Sequence, residues 1–224
     1  MIFELKEKKD KILEKMYDKA MNELNNFFGI SWKKNKPNLI ILNSRKDIDN
    51  IRNEKSPDWL IGWADSQDIY MLNFKKYKTE SSHKKDTIDD YYKTLKHELC
   101  HMFFSSFSQR IEFHQYIWLS EGVSIFVANQ VKNKIIKFRT FIDQYSKFDG
   151  LAYQESGFAI QVLVENFGKQ RLLDLIKSLK EVKSEKDFNK QFKKIYGQNP
   201  TYKFFNRLLT EHSQNAKRKT QNKK

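Results

Sequence analysis

Along residues 5–28, Leu13, Met16, Tyr17, Ala20, Met21, Leu24, Phe27 and Phe28 recur at steps of three and four. This spacing predicts an amphipathic helix with Gly29 as its stop. Residues 38–43, Asn-Leu-Ile-Ile-Leu-Asn after Pro37, predict a short buried strand, and residues 47–53 a brief helix. Residues 59–63 and 69–73 predict two further strands around the polar turn 64–68, while the basic stretch 75–85 reads as a loop. A longer helix is expected from Asp86 or Thr87, either of which can cap it, to about residue 107. Ile88, Tyr91, Tyr92, Leu95, Leu99, Met102 and Phe103 form its apolar side. Ser120 is placed to cap another helix over 121–133, striped by Val123, Phe126, Val127 and Val131. Periodic segments follow at 135–147, 151–167 (ending at Gly168), 169–180, 184–196 and 200–212. A small N-terminal mixed sheet followed by a mostly helical C-terminal half makes an α+β fold. Residues 1–212 are expected to form one domain, and the basic residues 213–224 a disordered tail.

Composition agrees with a folded, helix-rich chain. Of 224 residues 39% are hydrophobic, 18 are Phe and 10 Tyr, whereas only 7 are Gly and 3 Pro. The 42 Lys and Arg outweigh 28 Asp and Glu, for a net charge of +14. Such an excess favours non-specific association with anionic partners. The lysines nevertheless fall in many short groups (Lys33, Lys34, Lys36; Lys75, Lys76, Lys78; Lys84, Lys85), and no nucleic-acid-binding motif accompanies them. Cys100 is the single cysteine, which excludes an intrachain disulfide. The first ten residues lack the apolar core of a secretion signal, and no stretch approaches the roughly 18 apolar residues of a membrane span, so a cytoplasmic protein is expected.

Chemistry enters inside the long helix, at His97-Glu98-Leu99-Cys100-His101. Four residues apart, His97 and His101 stand one turn apart on one face. Neutral imidazole nitrogens suit Zn2+, and a rigid helix lowers the cost of ordering two of them. Glu98 lies about 100° round the helix from His97, close enough to reach a metal-bound water as general base without ligating the metal. A catalytic zinc takes a third protein ligand, and Glu121, at the start of the next predicted helix, is the leading candidate. Cys100 reads as a small core residue, His114 as a loop residue, and His83 and His212 as solvated.

Together, His97-Glu98-x-x-His101 and Trp118-Leu119-Ser120-Glu121-Gly122 resemble the gluzincin superfamily of zinc metallopeptidases, the peptidase MA-like group that includes thermolysin-like and aminopeptidase-N-like enzymes. The resemblance implies a zincin-like fold, zinc ligation by His97, His101 and Glu121, and Glu98 as general base. More loosely, residues 62–72 resemble the edge strand ahead of the zinc helix in these proteases, which can hold an extended peptide through its backbone. Residues 152–168 resemble the tyrosine-bearing helix of many members, which makes Tyr153 the implied stabiliser of the oxyanion. Two features depart from the family. Ile125 stands where thermolysin-like enzymes carry the aspartate that orients a zinc histidine, which leaves that partner unidentified. Residues 62–66, Gly-Trp-Ala-Asp-Ser, lack the Gly-Ala-Met-Glu-Asn run of the aminopeptidases.

The expected function is zinc-dependent hydrolysis of a peptide or protein substrate, with Glu98 and Tyr153 catalytic. The alternative is an inactive protein on the same scaffold that binds nucleic acid or anionic surfaces. That reading predicts steeply salt-dependent binding which Glu98→Gln leaves unchanged.

Overall fold

The computed structural model describes residues 6–7, 9–109, 116–131, 135–143 and 150–221, with side chains as far as Glu211. The structure is α+β, mostly helical, with one three-stranded mixed sheet. The chain groups into two compact units, Met1–Leu99 and Cys100–Lys224, and the division falls inside a single continuous helix.

The first unit opens with α1 (Lys11–Phe28), which buries Ala20, Met21, Leu24 and Phe28. It begins later than the apolar spacing suggests because Asp10 caps it, accepting from the amides of Ile12 and Leu13. Gly29 ends it in the left-handed conformation, φ 66°. There follow β1 (Asn38–Leu42), α2 (Arg45–Arg52), β2 (Gly62–Asp65), β3 (Asp68–Leu72), α3 (Phe74–Thr79) and the start of α4 (Ile88–Ser108). β3 is central: it runs parallel to β1, with Asn38 opposite Asp68, and antiparallel to β2, with Gly62 opposite Met71. Ile69 and Met71 are buried on one face of β3. On the other, Leu72 joins Leu42 and Ile48 of α2, with Trp63 and Tyr70 packed at the margin.

Three expectations in this unit shift. The β2–β3 turn is the two residues Ser66 and Gln67, not five, with Ser66 at φ 54° as a primed hairpin turn requires. Residues 59–61 fall outside the strand, because side chains, not a neighbouring strand, take most of the carbonyls before Gly62. The expected loop 75–85 contains α3. Its buried side is essentially Tyr77, too short a stripe to register as a helical period, and Asn73 caps it by accepting from the Lys75 amide.

The second unit contains the end of α4, then α5 (Ile117–Val127), α6 (Gly150–Phe167), α7 (Lys169–Ser178) with a 3-10 turn at Leu179–Glu181, α8 (Glu185–Tyr196) and α9 (Tyr202–Gln221). Trp118, Phe138, Phe141, Phe188 and Phe205 pack largely edge-to-face at its core. α5 and α6 touch through glycine. A Cβ on Gly122 would lie 2.6 Å from the Ser156 carbonyl oxygen, and one on Gly157 would lie 2.4 Å from Ile125 Cγ2.

α5 begins at Ile117 rather than 121, so Ser120 is inside the helix and not its cap. Burial of Trp118 and Leu119 accounts for the extra turn. Of the helix expected at 135–147, residues 135–143 are not helical, and 144–147 lie outside the described residues. Phe138 and Phe141 are buried there from a looped backbone whose amides are bound elsewhere. Where a disordered tail was expected from residue 213, α9 runs on as helix to Gln221. Among the described residues no helix is long and apolar enough to cross a membrane.

Candidate metal centre

α4 presents the motif. Thr87 starts the helix with a reciprocal cap: its Oγ1 accepts from the Asp90 amide, while Asp90 Oδ2 accepts from the Thr87 amide. Tyr91, Leu95, Leu99 and Phe103 are fully buried, and Tyr91 donates to the Leu72 carbonyl at the end of β3. This anchoring fixes the rotation of α4 and with it the direction of the motif. His97 is buried, whereas Glu98 and His101 are half-buried. Cys100 is buried, as its reading as a core residue anticipates.

Glu98 lies beside the first residue of β2. A Cβ built on Gly62 would lie 3.7 Å from Glu98 Cγ and 3.0 Å from the Tyr70 carbonyl oxygen. The Glu98 distance is ordinary van der Waals contact, so the tight neighbour that favours glycine here is the Tyr70 carbonyl oxygen of the hairpin partner.

Glu121 sits in the second turn of α5 with its Oε1 3.5 Å from His101 Nε2. One ligand atom each from His97, His101 and Glu121 fall within 4.8 Å of one another. A tetrahedral zinc with bonds near 2.1 Å separates its ligand atoms by about 3.4 Å, and two imidazoles and a carboxylate gathered this closely could hold a metal ion.

The other nitrogen of His101 faces two hydroxyls, Ser120 Oγ at 3.0 Å and Ser124 Oγ at 3.3 Å. Both serines are buried. Were Nε2 to coordinate an ion, the ring proton would sit on Nδ1, within reach of either serine hydroxyl as acceptor. Sequence reasoning missed this pair. It assigned Ser120 to a cap and sought an acidic partner at 125, where Ile125 is instead buried against Gly157. The available signal was two serines four apart, on either side of Glu121, on one helix face.

Tyr153 stands half-buried in the first turns of α6. Its carbonyl accepts from Ser156 Oγ, and the Ser156 carbonyl is the atom against which Gly122 rests. The start of α6 is therefore held beside the residue that follows Glu121. His83 is tied by hydrogen bonds rather than solvated, His114 lies outside the described residues, and so does the side chain of His212.

An acidic residue of α6 also escaped sequence reasoning. Glu155 is fully buried, and its carboxylate accepts from the amides of Arg139, Thr140 and Phe141 and from the Thr140 hydroxyl. It organises the segment after residue 135 by satisfying amides that a helix would otherwise use. An ionisable residue on the apolar side of a periodic helix was the signal for it.

No family model matches the chain, and no curated protein sequence matches it significantly.

Proposed function

We propose that this protein is a zinc-dependent peptidase with a zincin-like arrangement, in which His97, His101 and Glu121 hold the ion and Glu98 is the general base. The observation that carries this reading is the convergence of the three ligand atoms, with Glu98 on the same helix beside the edge strand. When bound, zinc supplies Lewis acidity and a water of lowered pKa. Glu98 accepts the proton of the attacking water and returns it to the leaving amine. Ser120 and Ser124 fix the ring of His101, and the Tyr153 phenol is the candidate donor to the developing oxyanion. The hairpin edge at Gly62 presents the peptide's backbone to Glu98.

The test pairs elemental analysis with cleavage of a broad peptide library by wild type and Glu98→Gln. One zinc per chain is expected in both proteins, with hydrolysis lost by roughly 100- to 10,000-fold in the variant, the usual weight of a general base. Full activity in Glu98→Gln, or a wild type that takes up no zinc, overturns the proposal.

A further inference from the structure

The four residues that lead into β2 are held with unusual completeness. The Arg45 guanidinium donates to the carbonyls of Pro57, Asp58 and Leu60, and also to that of Glu80 at the end of α3. His83 Nε2 lies 3.1 Å from the remaining carbonyl, that of Trp59, and since a carbonyl only accepts, this nitrogen donates. The other ring nitrogen of His83 lies 2.9 Å from Asp86 Oδ2, which also accepts from the Tyr77 hydroxyl at 2.7 Å. The Leu60 and Ser82 amides add bonds to the Pro57 and Asp58 carbonyls. Every carbonyl from 57 to 60 is thereby engaged.

What this cage displays is an indole. Trp59 is 61% exposed, the one aromatic among the large exposed hydrophobic side chains of the described residues. Burial of Trp59 in the core therefore does not explain why its backbone is so tightly fixed. A rigid, exposed aromatic surface has a different use: a ligand that packs on it incurs no cost for ordering the loop. Trp59 is three residues from Gly62, which borders Glu98. Three extended residues span at most about 10 Å, the length of about three residues of a bound extended peptide.

We infer that Trp59 is a specificity-determining residue whose indole receives a bulky apolar or aromatic side chain of the substrate, two or three residues from the bond beside Glu98. Arg45 and His83 are its positioning residues. This inference rests on the peptidase reading above and names the substrate class of that same site.

The experiment uses the zinc-loaded full chain and a peptide library randomised on both sides of the cleaved bond. Follow-up peptides then differ only by Phe or Ala at the preferred position. Wild type is expected to favour Phe, Tyr, Trp, Leu or Met two or three residues from the cleavage point. Trp59→Ala should lower the Phe-to-Ala ratio of kcat/KM by about tenfold or more, within the range a hydrophobic subsite commands, and mainly through KM. Arg45→Lys, which cannot bridge the same carbonyls, should lower that ratio as well, whereas a purely structural role would reduce both peptides alike. Because Trp59 is exposed, Trp59→Ala keeps its fold and zinc content. If wild type cleaves, Glu98→Gln does not, and Trp59→Ala keeps the full ratio, the inference falls while the peptidase reading stands. If wild type cleaves nothing, both fall.

Discussion

At His101 the nitrogen turned away from the candidate metal position meets hydroxyls, not a carboxylate: Ser120 Oγ at 3.0 Å and Ser124 Oγ at 3.3 Å. A hydroxyl can fix the ring and its tautomer, but it adds no negative charge behind the ligand. The Ser120→Ala, Ser124→Ala double variant is expected to bind zinc about 10- to 100-fold more weakly, the usual loss when a ligand's outer partner is removed. Competition against a chromophoric chelator measures this, and unchanged affinity refutes the role. The candidate ligands on α4 were legible in the sequence because the surrounding apolar spacing is helical, which places His97 and His101 one turn apart on one face. Their partners were not. Serine carries no charge to mark it, and Ser120 fits a cap as well as an interior position until the start of the helix is known. Trp59 was hidden for a related reason: its apolar neighbours read as strand, while the hydrogen bonds that keep it out of a strand come from Arg45, His83 and Ser82, remote in sequence.

Between elements of the second unit, α5 meets α6 through Gly122 and Gly157. The atom facing Gly122 is a backbone oxygen, Ser156 O at 2.6 Å from a built Cβ, with Ile160 Cγ1 at 2.8 Å. A helix carbonyl cannot move alone, so Gly122→Ala separates the two helices and displaces Glu121 from His101. The expected outcome is a loss of about 1–3 kcal/mol in urea unfolding together with weaker zinc binding. An unchanged denaturation midpoint and zinc affinity would refute the tight contact. Long elements such as α1, α4 and α6 were legible from periodicity because each buries a stripe several turns long. The elements misread are those set by one or two remote partners. α3 turns on Tyr77 and its bond to Asp86, and the looped segment 135–143 on the buried carboxylate of Glu155.

For the whole molecule, the net charge was plain from composition but its distribution was not. Residues 1–99 carry 20 Lys and Arg against 17 Asp and Glu, whereas residues 100–224 carry 22 against 11. Carboxylates in the first unit therefore have abundant cationic partners near at hand, and acidification removes them from a chain that is already positive. Glu80 is the clearest case. Its hydrogen bond from Lys76, followed by that from the Arg45 amide, holds its carboxyl below the usual 4.5. Since the folded form has the lower pKa, the unfolded chain binds the proton more readily. This contribution is therefore present in full above the ordinary glutamate range and is lost as pH falls through the folded value. Glu23 follows the same sign: desolvation pushes its carboxyl up, but the hydrogen bond and attraction of Lys96, with the attraction of Lys19, help to hold it lower. The melting temperature is accordingly expected to vary little from neutral pH to about 5 and to fall below it. Glu80→Gln should flatten the part of that slope nearest pH 4, because glutamine keeps an acceptor for the Arg45 amide but has no proton to gain. Thermal melts of both proteins between pH 3 and 7 decide the matter, and parallel curves across that range would show that the Lys76–Glu80–Arg45 linkage contributes nothing to acid stability.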